Sequence, residues 1–233
     1  MQVLHRPLEP TCYNAAPMIG TLTPDVLISR IIVLVIAFTV HEFAHALMAD
    51  WFGDDTPRRQ GRLTLNPLVH LDPLGSLLLL VAGFGWARPV EINPLALERR
   101  SPAAPMLVAL AGPASNLLLA VVGALPLRLG LVQFSFQTSG WLPTVDQVLS
   151  DFVLINLVLM IFNLIPVFPL DGEKILHFFL PPSGKAVLEN LRAYGSLILL
   201  GLIFLLPSVG INLIQDIVLG PALAIGRFLV LGA

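Results

Sequence analysis

The sequence predicts an all-α polytopic membrane protein of about five transmembrane helices, with a re-entrant or β-like membrane segment between the first two. Composition is the first ground. Of 233 residues, 56% are apolar and only 12% charged, where soluble domains carry about 25% charge. The second is pattern: several apolar runs approach the roughly twenty residues that span a bilayer. The third is the placement of basic residues, which argues against one of those runs crossing.

Residues 1–21 read as a flexible N-terminus. They hold prolines and no apolar core of the kind a secretory signal requires. Residues 22–233 read as a single membrane-embedded domain. The first helix is expected over 24–52, with Thr23 as cap, Pro24 in the first turn, Asp25 at the positive end and Gly53 as stop. A polar, turn-rich stretch follows over 54–66 and carries Arg58, Arg59 and Arg62. Residues 68–87 are apolar but broken by Pro73, Gly75, Gly83 and Gly85, and 88–100 are polar again. A second long helix is expected over 103–129, a polar loop over 133–145, and a third helix over 148–167 that runs into Pro166 and Pro169. Lys174, Lys185 and Arg192 mark the next polar stretch. Two apolar runs, 194–206 and 211–231, complete the bundle.

Arg58, Arg59 and Arg62 precede the broken run, and Arg88, Arg99 and Arg100 follow it. A crossing would put the two basic groups on opposite sides of the membrane, against the positive-inside bias. A re-entrant passage puts both in the cytoplasm, with the Lys174 and Lys185 region on the same side. Irregular backbone at membrane depth requires protein or water to satisfy it.

The net charge of −2 and the lack of a basic cluster leave no reason to expect a nucleic-acid partner. The single cysteine, Cys12, excludes an internal disulfide and any multi-cysteine metal site. No internal repeat, heptad pattern or low-complexity tract is present. Trp51, Trp86 and Trp141 suit membrane-interface anchors, and Arg30 suits a side chain that snorkels from the helix start.

The chemistry resides in His41-Glu42-Phe43-Ala44-His45. In a helix, positions i and i+4 stack on one face, so both imidazoles can hold one metal ion, with Glu42 placed to take a proton from a water at that ion. Between Val26 and Phe52 the only ionisable residues are Arg30, His41, Glu42, His45 and Asp50. Ionisable groups inside a span are costly and mark function. His41 lies ten residues before Trp51, about 15 Å along the helix, well below the surface of a hydrocarbon core about 30 Å thick. A hydrolytic zinc site takes three protein ligands. Candidates for the third include His5, His70, His177, Asp72, Asp146, Asp151, Asp171, Glu173 and Asp216. Asp171 stands out because Pro166 and Pro169 free the backbone just before it; from local chemistry alone the lesser alternative is a cap of the short helix that follows.

With Asn163-Leu164-Ile165-Pro166-Val167-Phe168-Pro169-Leu170-Asp171-Gly172 beside the pentad, the chain resembles the site-2 protease family of intramembrane zinc metalloproteases. Gly112-Pro113-Ala114-Ser115-Asn116 matches a third motif of that family. His70-Leu71-Asp72-Pro73-Leu74-Gly75 and Gly85-Trp86-Ala87-Arg88-Pro89-Val90 resemble its compact branch, which has no PDZ or CBS domain. The resemblance covers about Val26 to Arg192, and no motif position departs from the pattern. It implies one zinc ion held by His41, His45 and Asp171, with Glu42 as catalytic acid and base. It implies a metalloprotease core over about 24–180, with C-terminal helices over 192–231, in a multi-pass protein of a prokaryotic plasma membrane. The partners implied are transmembrane protein substrates and the lipid bilayer; oligomeric state is left open. It also implies that a β-like segment, here 83–92, pairs with extended substrate.

Asn116 and Asn163 are amides inside spans, expected to bind substrate backbone, to orient ligands or to bond between helices. Gly112, Ala114 and Ser115 are expected to allow close helix packing, and His70 and Asp72 to be structural. The alternative to a protease is a non-proteolytic membrane metal-binding protein, either a transporter or an inactive helix-binding scaffold. Against a transporter, the spans hold few ionisable groups beyond the motif. Against an inactive scaffold, Glu42 and every expected ligand are present.

Overall fold

The structure, a computed structural model, describes residues 23–72, 75, 87–134 and 140–232. The expected N-terminus with His5 and Cys12, most of the broken run including Trp86, and part of the 133–145 loop lie outside the described residues.

The described chain is helical. In order come α1 (Pro24–Trp51), α2 (Thr56–Arg59), α3 (Pro67–His70), α4 (Pro94–Arg100), α5 (Ala104–Arg128), α6 (Val145–Asn163), α7 (Asp171–Phe179), α8 (Pro182–Arg192), α9 (Gly195–Phe204) and α10 (Gly220–Leu231). A wider-wound turn, Ile214–Leu219, leads into α10. Four segments are long and apolar enough to cross a membrane: α1, α5, α6 and Ile214–Leu231. The pair α8 and α9, bent by 75°, makes five if it counts as one span.

Boundaries follow local chemistry. Helix α1 ends as expected, with Gly53 at φ 88°, a conformation that needs no Cβ. Its start differs in one respect: Thr23 holds the cap position but its side chain makes no capping bond. Helix α6 begins at Val145 rather than 148, because the Thr144 side chain accepts from the Gln147 N–H. It ends at Asn163 rather than 167, since a residue preceding proline is driven out of helical conformation and Ile165 precedes Pro166.

The packing of α1 on α5 sets the site. The inward face of α1 carries Asp25, Ser29, Val33, Ala37, His41, His45 and Ala49, every fourth residue, all buried. Helix α5 answers with Ala104, Val108, Gly112, Asn116, Ala120 and Ala124, again every fourth and all buried. Ridges of i, i+4 residues on both helices can interdigitate, and small side chains let the backbones approach. Large apolar residues point outward instead: Ile32, Ile36, Leu47, Leu118, Val122 and Leu125 are exposed. Small and polar residues inside with bulky apolar ones outside is the arrangement lipid selects. Ser29 donates to Asp151 at 2.5 Å and ties α1 to α6. Arg128 donates to the carbonyls of Phe228 and Leu229 and satisfies the end of α10.

The two ends of the broken run meet. Leu71 and Ala87 form an isolated antiparallel bridge, and the Arg88 N–H donates to the His70 carbonyl at 2.8 Å. No regular strand forms among the described residues; from Ala87 to Asn93 the chain lacks helix and runs to α4.

Candidate metal centre

Three buried side chains converge from two elements far apart in sequence. His41 and His45 project from α1, and Asp171 is the first residue of α7. The Nε2 atoms of the two histidines are 3.0 Å apart, and each lies 3.2 Å from Asp171 Oδ2. Four-coordinate zinc with bonds near 2.0–2.2 Å sets neighbouring ligand atoms about 3.3 Å apart, so the triangle has the right size.

Its polarity also fits a cation. His45 Nδ1 faces the Val108 carbonyl at 2.7 Å, and a carbonyl can only accept, so the proton sits on Nδ1. His41 Nδ1 faces Asn116 Oδ1 at 2.6 Å, with the same result. Both Nε2 atoms therefore offer lone pairs toward each other and toward a carboxylate oxygen. Three acceptors with no donor among them are satisfied by a metal ion. The second Asp171 oxygen lies 3.7 Å from Lys174 Nζ, which leaves Oδ2 for the centre.

Backbone proximity explains two glycines. A Cβ on Gly112 would strike His45 Nε2 and lie 2.6 Å from both Cε1 and Nε2 of His41. The expectation that Gly112 serves helix packing is thus too general: its missing side chain is the space beside the two imidazoles. A Cβ on Gly172 would strike the Leu164 carbonyl oxygen and lie 2.5 Å from that of Ile165. Asp171 is therefore seated by the start of α7 pressing on bare backbone. It opens that helix at its first position, with Leu170 in the cap position.

Glu42 is almost buried, and its Oε2 accepts from the Val90 N–H at 3.0 Å. The segment after Ala87 is thereby brought against the pentad. Arg62, 4% exposed, holds that segment in place: it donates to the carbonyls of Val69 (2.7 Å), Arg88 (3.3 Å) and Pro89 (3.4 Å), spanning both arms of the broken run. Burial, and secondarily Arg88, pull its guanidinium below the ordinary value, while Glu42 and Glu91 oppose the shift. Asp54 adds a second tie, accepting from Thr56 N and from Asn93 N. Arg62→Met is expected to cost about 2 kcal/mol locally by leaving carbonyls unpaired. Hydrogen-exchange mass spectrometry should show roughly thirtyfold faster exchange over 88–92 at unchanged zinc content. Unchanged exchange there would rule out the clamp.

Asn116 is thus beside the candidate metal ligands, with its Oδ1 on His41. Asn163 is half-buried, and its Nδ2 donates to the Leu159 carbonyl one turn back in its own helix. His70 is fully buried and bonds the Thr64 carbonyl through Nε2, while Asp72 accepts from the Gly75 N–H; both act locally. His177 pairs with Glu189. Among the described residues, His41, His45 and Asp171 are the group of histidine, cysteine and acidic side chains whose ligand atoms all lie within 4.8 Å of one another. A cavity of about 100 Å³, bounded in part by Phe168, Glu173, Arg192 and Gly195, lies behind α7 and is lined by none of the three. The roles of Arg62 and of the Val90 amide have no local sequence signature; Arg62 is one of several arginines in a polar stretch.

Known proteins resemble this sequence. The profile of the family described as "Peptidase family M50" matches residues 29–206. "Putative zinc metalloprotease YwhC" of Bacillus subtilis (strain 168) is 43% identical over 197 residues, covering 84% of this chain and 86% of that protein. "Putative zinc metalloprotease Rip2" of Mycolicibacterium smegmatis is 33% identical over 175 residues, 70% of this chain and 62% of that protein. The protein of the same name from Mycobacterium tuberculosis (strain H37Rv) is 29% identical over 177 residues, 75% of this chain and 65% of that protein. No solved structure matches.

Proposed function

The chain belongs to peptidase family M50 and is a zinc metalloprotease; from that premise we propose that it is an intramembrane endopeptidase, cleaving peptide bonds within or near transmembrane segments of membrane proteins. One observation carries the reading: the ligand atoms of His41, His45 and Asp171 lie within 4.8 Å of one another, and the helix that carries both histidines turns Ile32, Ile36 and Leu47 outward. Zinc, when bound there, would supply Lewis acidity and an acidified water.

The rest is the work of the chain's own residues. His41, His45 and Asp171 hold the metal. Glu42 takes the proton of the attacking water and returns it to the leaving amine. Its Oε2 is engaged by the Val90 N–H, so Oε1 is the oxygen that carries the proton. A peptide bond inside a helix hides its carbonyl, so substrate must unwind to be cut. The non-helical stretch from Ala87 to Asn93, tied down by Arg62 and Asp54, would pair with the unwound backbone. Asn116 orients His41. Asn163, whose amide nitrogen is engaged within its helix, offers Oδ1 to a substrate N–H.

The topology proposed follows the meeting of Leu71 with Ala87. A run that returns beside its own start keeps Arg58, Arg59 and Arg62 on the side of Arg88, Arg99 and Arg100. That supports re-entry and a cytoplasmic location for both groups and for the Lys174 and Lys185 region, in a prokaryotic plasma membrane.

The test uses one reporter in two settings. The purified protein in liposomes is expected to cut a reporter whose scissile bond lies in a transmembrane helix, with a zinc chelator stopping the reaction. It should leave the same peptide in solution at least tenfold less cleaved. Equal cleavage in both settings would remove the intramembrane assignment, and indifference to the chelator would remove the metal.

A further inference from the structure

We propose that Asn156, in α6, is a positioning residue of the metal centre: it sets which way round the Asn116 amide sits and so keeps the His41 proton off the nitrogen that binds metal. The proposal rests on the metal-centre reading above.

Asn116 and Asn156 are both 0% exposed. A side-chain amide presents a donor on one side and an acceptor on the other, and turning it over exchanges them. What matters at His41 is which side it meets. If Oδ1 faces Nδ1, the imidazole carries its proton there and Nε2 keeps a lone pair. If the NH₂ group faces it, Nδ1 must accept, the proton moves to Nε2, and one metal ligand is lost.

The direction is set from the far end of a chain of bonds. The Phe152 carbonyl can only accept, and Asn156 Nδ2 lies 2.8 Å from it. Asn156 therefore turns Oδ1 outward, toward Asn116. Asn116 Nδ2 donates to that oxygen at 2.8 Å, which leaves Asn116 Oδ1 to accept from His41 Nδ1 at 2.6 Å. The other acceptor near Asn116 Nδ2 is the Ala37 carbonyl, at 3.5 Å the limit of a hydrogen bond. Asn156 is thus the partner strong enough to decide. Asn163 makes the same bond to its own helix about two turns further on, to Leu159, and is not the residue that meets Asn116. Partners that orient metal-bound histidines commonly change metal affinity by 10–100-fold when altered.

The experiment measures cobalt affinity of the full-length protein in detergent micelles, by chelator competition and the visible absorption of bound Co²⁺. Asn156→Leu, with the same branched skeleton but without an acceptor, is expected to lose about 10–100-fold in affinity. Asn156→Asp is expected to stay within about threefold, because a neutral carboxyl donates to the Phe152 carbonyl and accepts from Asn116 as the amide does. A role in packing alone predicts the reverse order, with the apolar variant tolerated in this helix and the acid not. Helix content and melting of the metal-free forms identify a misfolded variant; should Asn156→Leu not fold, Asn156→Ala removes the acceptor without bulk and gives the same comparison. Wild-type affinity in the variants without an acceptor, or an equal loss in Asn156→Asp, overturns the proposal. Wild type that takes up no cobalt removes the metal-centre reading and this proposal with it.

Discussion

Replacing Glu42 by Gln is expected to lower turnover of a transmembrane reporter by about 10²–10⁴-fold, the usual contribution of a positioned acid–base group, while bound zinc stays at the wild-type level. The two side chains have nearly the same volume, and the Gln carbonyl oxygen can still accept from the Val90 N–H that Glu42 Oε2 now accepts. The loss is then confined to the proton that Gln cannot take. The proposed zinc ligands, His41, His45 and Asp171, are not touched by the change. Turnover by the purified variant, set beside its metal content from mass spectrometry, separates the outcomes. Equal turnover would take Glu42 out of the chemistry, and lost zinc would make it a ligand.

Gly112→Ala is expected to have a large effect on metal binding for a single added methyl. A Gly-to-Ala change inside a helix ordinarily stabilises by about 0.5–1 kcal/mol. Here the added methyl would collide with His45 Nε2 and lie 2.6 Å from two atoms of His41. Both imidazoles sit on α1, which packs its own buried face on this part of α5, so neither can retreat without moving a helix. Overpacking of this kind costs about 1–3 kcal/mol, and the atoms displaced are the ligand atoms. We expect zinc affinity to fall by about 10–100-fold. Gly201→Ala is the control: its Cβ would meet only Leu205 Cδ1, at 3.9 Å, and should leave zinc binding unchanged. Titration of the metal-free proteins with zinc checks both. Wild-type affinity in Gly112→Ala would mean that the two helices part more readily than their packing implies.

Much of the site was legible because its ligands follow helix geometry. His41 and His45 are four apart, and that spacing means one thing on a helix wherever the helix lies. Asp171 was harder to find. Proline marked where helix α6 must stop, and the resemblance of the whole motif to a known family singled out the acid after it. The fold was legible to the same depth: long apolar runs gave the number of helices, while caps and prolines moved their ends by a few residues at α6. What was not legible depends on how helices pair. Asn156 looks like any amide in a span until α5 places Asn116 opposite it. Arg62 looks like its neighbours Arg58 and Arg59 until the chain returns at Arg88 to surround it with carbonyls. The Val90 contribution comes from a backbone N–H, which every residue but proline has. One signal was present but unread: a small or polar residue at every fourth position of α1 and α5, which marks the facing seam of the two helices.

The bridge between Leu71 and Ala87 has a consequence for how such a protein can change over time. A tie at the neck separates what lies between the two residues from what lies outside them. Val90, which touches Glu42, and Arg62, which grips both arms, lie outside the tie. Substitutions between the tied residues therefore fall outside the contacts that hold the Glu42 carboxylate against the Val90 N–H and that hold both arms to Arg62.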